Sequence, residues 1–175
     1  MQYLFITPWK LSVGPAKDWS DELLQRLRKI GPAQIIAPGR SLENEKAVEQ
    51  FLVNECEKVI NDRGLLIFLD ERGQNVSSER FAADLSNARD RGFRNVAFVF
   101  GGAYGLPSAL QIFAQNSRLM SLSQATMAHE LSLVVLLEQV YRSETIRANH
   151  PYHHGGASPL ASVVAQKRGG SARSL

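Results

Sequence analysis

NVAFVFGGAYGLP, residues 95–107, decides how this chain folds. Val96–Phe100 is an unbroken apolar run, too continuous for a strand with one wet face, so both its faces must be covered. Gly101-Gly102-Ala103-Tyr104-Gly105 then turns the chain, and Pro107 opens a helix where a missing N–H costs nothing. Glycines at the exit of a buried strand let a ligand approach the backbone, because no Cβ stands in the way. Downstream come a strand at Leu119–Leu122, a small polar loop over Ser123-Gln124-Ala125-Thr126-Met127-Ala128-His129, and an apolar helix from about Glu130 to Arg147. The tail Asn149-His150-Pro151-Tyr152-His153-His154 follows. Two such strand exits side by side form a crevice at the carboxyl edge of a sheet, where open α/β folds hold ligands.

Upstream the same alternation repeats. Tyr3–Thr7 predicts a strand, Asp18 or Ser20 caps a helix to about Ile30, and Gly31-Pro32 stops it. Gln34–Ala37 predicts a short strand, and Glu43 to about Asn61 a helix with Cys56 on its core face. Leu65–Leu69 is a third strand, closed by the turn signal Asp70-Glu71-Arg72-Gly73. Ser77 or Ser78 caps a helix to about Arg91. Five strands alternating with five helices and no internal repeat predict an α/β fold, a single doubly wound parallel-sheet domain. In the final helix Leu131, Leu133, Val134, Val135, Leu136, Leu137, Val140 and Tyr141 leave almost no polar face. A helix apolar all round must be buried all round. It either sinks wholly into the monomer core or meets a second protomer, and the homodimer is the favoured reading. After His154 a stretch rich in glycine and serine predicts a disordered extension over 155–175.

Composition narrows the functional classes. With 175 residues, 44% hydrophobic and 21% charged, the chain suits one domain with a real core. No apolar run approaches the roughly 18–20 residues of a membrane span, and the N-terminus lacks a basic region and cleavage site. A single cysteine suits a reducing compartment, so a cytoplasmic protein without a membrane partner is expected. The net charge of +3 lies wholly beyond Leu131, where Arg142, Arg147, Lys167, Arg168 and Arg173 oppose only Glu138 and Glu144. That excess attracts phosphate but falls far short of a dedicated nucleic-acid arm.

Gly101-Gly102-x-x-Gly105-Leu106, Leu122-Ser123-x-x-Thr126, His129, Glu138-Gln139-Val140-Tyr141-Arg142 and Asn149-His150-Pro151-Tyr152-His153 together resemble the small SPOUT-class methyltransferases. Within that class the resemblance is to the ribosomal large-subunit pseudouridine N3-methyltransferases, and it runs from the first strand to His154. It implies a domain over 1–154 whose last helix threads a loop to form a trefoil knot, an exception to the rule against knots. It implies S-adenosyl-L-methionine as cofactor, held by Leu69 and Asp70, by Gly101 and Gly102, and by Leu122, Ser123, Gln124, Ala125, Thr126, Met127 and Ala128. It also implies a homodimer acting on the 23S rRNA of the large ribosomal subunit. There the tail of one protomer covers the cofactor of the other, so that Arg142, Tyr152 and His153 line the substrate side near His129.

Each of these residues also has a plain reading. Gly101 and Gly102 could serve an ordinary turn, Arg142 a surface ion pair, Tyr152 packing, and His129 a helix cap or the core. A dinucleotide site fits less well, since the glycines follow the fourth strand and lack the full spacing. The tail histidines have no acidic or cysteine companion, so no metal is expected. The sequence departs from the family pattern at Ala128, where proline is usual, and at His154, where arginine is common. Arg40 is the lone cation in Pro38-Gly39-Arg40-Ser41, which implies fewer phosphate contacts. A flavodoxin-like nucleotide domain and a relative that binds RNA without catalysis are the other classes to be separated by experiment.

Overall fold

The computed structural model describes residues 1–148. Tyr152, His153, His150 and His154, with the extension over 155–175, lie outside the described residues. Five parallel strands form one sheet: β1 (Gln2–Ile6), β2 (Ala33–Ile36), β3 (Gly64–Asn75), β4 (Asn95–Phe100) and β5 (Ser117–Ser121). Their order is β2-β1-β4-β3-β5. Four α-helices connect them: α1 (Pro15–Arg28), α2 (Glu45–Asn61), α3 (Ser78–Asp90) and α4 (His129–Arg147).

Both faces of the sheet are covered, as the unbroken strand β4 requires. Val96, Phe98 and Phe100 point to the layer of α1, α3 and α4, and all three are buried. Ala97 and Val99 point the other way, against Leu52, Cys56 and Val59 of α2. The period of two along a strand produces this division. Cys56 is fully buried, and burial pushes its thiol up to about 12. A structural role follows for it.

Three elements differ from the sequence reading. Helix α1 begins three residues before Asp18, because Pro15 takes the first helical position and its fixed φ needs no side-chain cap. The fourth helix is a 3₁₀ segment, Ser108–Asn116. Its three-residue repeat stacks Leu110 and Phe113 on one side, and both are buried against the α2 layer. The expected turn at Asp70–Gly73 is instead a bulge inside β3. Leu69 and Gln74 both pair with Met120 of β5, and the four residues between them leave the ladder. A Cβ on Gly73 would lie 2.5 Å from the carbonyl carbon of Met120, so only glycine fits where the bulge closes back on β5.

Helix α4 lies between α1 and α3. Leu133, Leu136, Leu137 and Val140 are fully buried within the single chain, so most of its apolar surface is spent on the monomer core. Leu131 is 46% exposed and faces Trp19 of α1, itself 60% exposed. Among the described residues no helix is long and apolar enough to cross a membrane.

Candidate functional site

The carboxyl ends of β3, β4 and β5 border a cavity of about 470 Å³. That falls within the roughly 300–1,000 Å³ usual for small-molecule sites. Three segments wall it: the β3 bulge, the turn after β4, and the loop between β5 and α4.

The turn after β4 is closed by two backbone hydrogen bonds. Gly102 N–H donates to the Gly105 carbonyl and Gly105 N–H to the Gly102 carbonyl, both at 2.9 Å. A Cβ on Gly101 would sit 2.3 Å from the Gly105 carbonyl carbon, so this glycine is required by the turn itself. A Cβ on Gly102 would meet only a Val48 methyl at 3.1 Å, on α2. Gly102 therefore borders the cavity through its backbone, and the side chain it lacks would point toward α2.

The bulge carries the charge of the site. Arg72 donates from its backbone N–H and Nε to Asp70 Oδ1, at 2.9 and 2.8 Å, and from Nη2 to Oδ2 at 2.8 Å. The side-chain hydrogen bonds from Arg72 hold the Asp70 carboxyl down at about 2. Such bidentate pairing fixes the carboxylate plane. Thr126 Oγ1 donates to Glu71 Oε2 at 3.0 Å, tying the β5–α4 loop to the bulge across the cavity mouth. The loop also braces itself: Ser121 Oγ donates to the Ser123 carbonyl at 2.7 Å, and Ala125 N–H to Ser123 Oγ at 3.0 Å.

Most residues implicated by sequence meet here. Leu69, Asp70, Gly101, Gly102, Leu122, Ser123, Ala125, Thr126, Met127 and His129 all line the cavity, whereas Gln124 and Ala128 do not. Arg142 is elsewhere. It lies thirteen residues after His129 on α4, about 20 Å at a rise of 1.5 Å per residue. There it is half-buried and paired with Glu138 one turn back. Within one chain it cannot reach the cavity.

Sequence reasoning missed Glu71, Arg72 and Trp9. The first two were read as a turn signal, although charged residues beside a strand exit could equally have marked a rim. Trp9 carried no signal at all: its indole stacks on the His129 ring, centroids 4.6 Å apart, from the far side of the sequence. Among the described residues no group of three or more His, Cys, Asp or Glu could hold a metal ion.

Residues 1–153 match the family described as "Predicted SPOUT methyltransferase". The chain is 36% identical over 151 residues to the ribosomal RNA large subunit methyltransferase H of Rhizobium meliloti (strain 1021), spanning 82% of this chain and 93% of that one. It is 41% identical over 137 residues to the protein of the same name from Geobacter sulfurreducens, spanning 77% and 87%. The AdoMet complex of the SpoU methyltransferase AviRb from Streptomyces viridochromogenes aligns at a TM-score of 0.47 and 15% identity, over 86% of this chain and 58% of that one.

Proposed function

The chain belongs to the SPOUT methyltransferase family, and from that premise we propose that it methylates 23S rRNA of the large ribosomal subunit at N3 of a pseudouridine. The observation that carries this reading is the single cavity onto which bulge, glycine turn and β5–α4 loop converge. The cavity fits S-adenosylmethionine in chemistry as well as size. Leu69, Phe100, Leu122 and Met127 offer apolar walls for a purine and a thioether chain, and the loops between them offer backbone amides and carbonyls. Asp70 and Glu71 outnumber Arg72 among the charges of the bulge, which favours a cationic ligand.

When bound, S-adenosylmethionine supplies a methyl group already activated on a sulfonium. The protein's residues then have two tasks. The first is alignment: the turn and loop hold the donor while the substrate base is brought in line, an effect worth roughly 7–11 kcal/mol in well-aligned cases. The second is removal of the N3 imide proton as the new N–C bond forms. His129 is the imidazole among the described residues at the cavity, a side chain able to accept that proton. His153 shares that role in this proposal, and Tyr152 stacks on the splayed base.

Arg142, Tyr152 and His153 then act on the cavity of a second protomer, which makes the enzyme a homodimer. The apolar strip of exposed Trp19 and Leu131 with half-buried Val135, between α1 and α4, is the surface we assign to it. The trefoil knot and a cytoplasmic location, where large subunits are assembled, belong to the same proposal. The test combines calorimetry against S-adenosylmethionine with methyl transfer to large subunits lacking the modification. Micromolar binding and transfer to a single nucleotide are expected. Binding without transfer to any RNA points to a non-catalytic relative, and flavin absorbance in the purified protein to a different fold function.

A further inference from the structure

Trp9 lies just past β1, at a junction that no sequence motif marks. Thr7 is fully buried, and its Oγ1 donates to the Trp9 carbonyl at 3.0 Å, fixing the backbone there. The indole meets the Phe100 ring edge-on, centroids 5.3 Å apart, at the end of β4. Its other contact is the near-parallel stack on His129, centroids 4.6 Å apart and planes within 15°. Phe100 and His129 both line the cavity, and Trp9 touches the ring of each. The same β1–α1 loop grips the start of α4 a second time: Ser12 N–H donates to Glu130 Oε1 at 3.1 Å.

One detail separates this contact from ordinary packing. Trp9 Nε1 is buried and has no acceptor among the described residues. An unpaired buried N–H costs stability, so phenylalanine would pack this corner without that cost. What indole offers over phenyl is a wider, more electron-rich face, the property that counts against a flat imidazole.

The geometry points to Trp9 as a positioning residue that fixes the plane of the His129 ring at the cavity for methyl transfer. This rests on the proposed function, because His129 needs a fixed orientation only if it handles a proton there. Among the described residues His129 is otherwise held by its backbone at the first turn of α4. With the indole behind it, ring rotation out of the stack exposes both faces and leaves the Trp9 surface bare. The imidazole nitrogens are thereby kept to one plane before substrate arrives, the sort of preorganisation a proton acceptor needs.

The test uses the full chain and large subunits lacking the modification, with Trp9→Leu, Trp9→Phe, His129→Ala and the double variant Trp9→Leu/His129→Ala. Misplacement by about 1 Å can cost about 100-fold in rate, so a ring left to wander by less should cost about tenfold in kcat. That loss is expected in Trp9→Leu, with KM for S-adenosylmethionine within about twofold of wild type, and Trp9→Phe should recover part of it. Trp9→Phe should melt no lower than wild type, since it removes the orphaned N–H. In His129→Ala the Leu change should cost nothing further, because the two residues act as one unit. Emission assigned to Trp9, taken as the difference between wild type and Trp9→Phe, should change when His129 is replaced. Additive losses, a lower affinity with unchanged kcat, or emission indifferent to His129 overturns the role. A wild type that binds the cofactor and transfers nothing sinks the proposed function itself, and that control is read before any variant.

Discussion

The two ends of α4 are built on opposite principles. At its C-terminal end Glu144 is 3% exposed and fully engaged. Its Oε1 accepts from the Tyr3 hydroxyl and, at 3.0 Å, from Arg89 Nη2; its Oε2 accepts from Arg147 Nη2 at 2.8 Å and Nε at 3.1 Å. Strand β1, helix α3 and helix α4 are pinned together by one carboxylate. At the N-terminal end Ala128 offers no side-chain cap, and His129 is exposed and steadied by a ring stack. A buried charge with every lone pair used is a fastening. An uncapped, half-open helix start beside a cavity leaves groups free to work on a ligand. Stability is concentrated at one edge of the sheet and chemistry at the other, with Glu144 and His129 about 22 Å apart by the helical rise.

The largest expected effect falls on the fastened end. Burial pushes the Glu144 carboxyl up, yet the hydrogen bonds from Tyr3 and Arg147 and the Arg89 charge outweigh it, so the net shift is downward. A depressed folded-state value means the stabilisation is complete above the ordinary glutamate range, about 4.3. It is lost as pH falls from there through the folded value. Glu144→Ala should cost about 3 kcal/mol in urea unfolding at pH 7, the low end for a broken buried pair because Arg89 and Arg147 can return to water. Glu144→Gln should flatten the dependence of stability on pH below about 4.3. Asp70, held at about 2, contributes a separate acid slope that this variant leaves in place. Cofactor affinity at pH 7 should stay within about twofold in Glu144→Gln, which shows that the two ends are independent; a tenfold loss would merge them.

The mirror-image experiment strikes the open end. Gly101→Val places a side chain where the Gly105 carbonyl already stands, so the turn must open. S-adenosylmethionine affinity should fall at least about 100-fold by calorimetry, about 2.7 kcal/mol. Acid unfolding governed by Glu144 should keep its shape. Gly102→Val is the control that sharpens this reading, because its methyls press on Val48 and spare the turn. A smaller loss of affinity is expected there, and equal losses would return Gly102 to the ligand-facing role its sequence suggested.

Much of this contrast was legible in the sequence. Unbroken apolar strands such as Leu65–Leu69 and Val96–Phe100 announced a sheet covered on both faces, and Ser77 caps α3 as read, accepting from Arg80 N–H at 3.2 Å. The loop after β5 was read as small and polar, and its place at a cofactor came from the family resemblance; Leu122, Ser123, Ala125, Thr126 and Met127 of it line the cavity. What escaped depends on partners distant in sequence. Asp70–Gly73 reads locally as a turn, and only the pairing of both Leu69 and Gln74 with Met120 makes it a bulge. Trp9 and His129 are 120 positions apart, and nothing in either neighbourhood names the other. Gly102 lines the cavity as expected, but the sequence could not tell which way its missing Cβ would have pointed, which is toward Val48.

Between the two ends runs the apolar strip of α4, and its test is oligomeric state. Leu131→Glu puts a charge beside exposed Trp19. At the centre of an interface such a change should weaken self-association by about 2 kcal/mol, about 30-fold, in sedimentation equilibrium. Glu144 and the core residues Leu133 and Leu137 are untouched, so melting of the separated protomer should be unaffected. An unchanged dimer would move the interface to another face of the molecule.

The smallest effect concerns the departure from the family pattern at Ala128. This residue holds φ −59° and ψ 140° immediately before the first helical position. Proline imposes φ near −65° on any position it occupies, so the backbone here already has the shape that the usual residue would enforce. Alanine must find that shape from a wider set of unfolded conformations. Ala128→Pro should therefore stabilise the protein by about 0.4–1 kcal/mol, chiefly by restricting the unfolded chain. It should also sharpen the contrast between the ends of α4, because the open end gains order without gaining a cap. Chemical denaturation with unchanged slope and a shifted midpoint is the expected signature. Destabilisation instead would mean that the Ala128 N–H or the conformation of Met127 resists the ring, and that the substitution in this chain followed a real change in how the loop enters the helix.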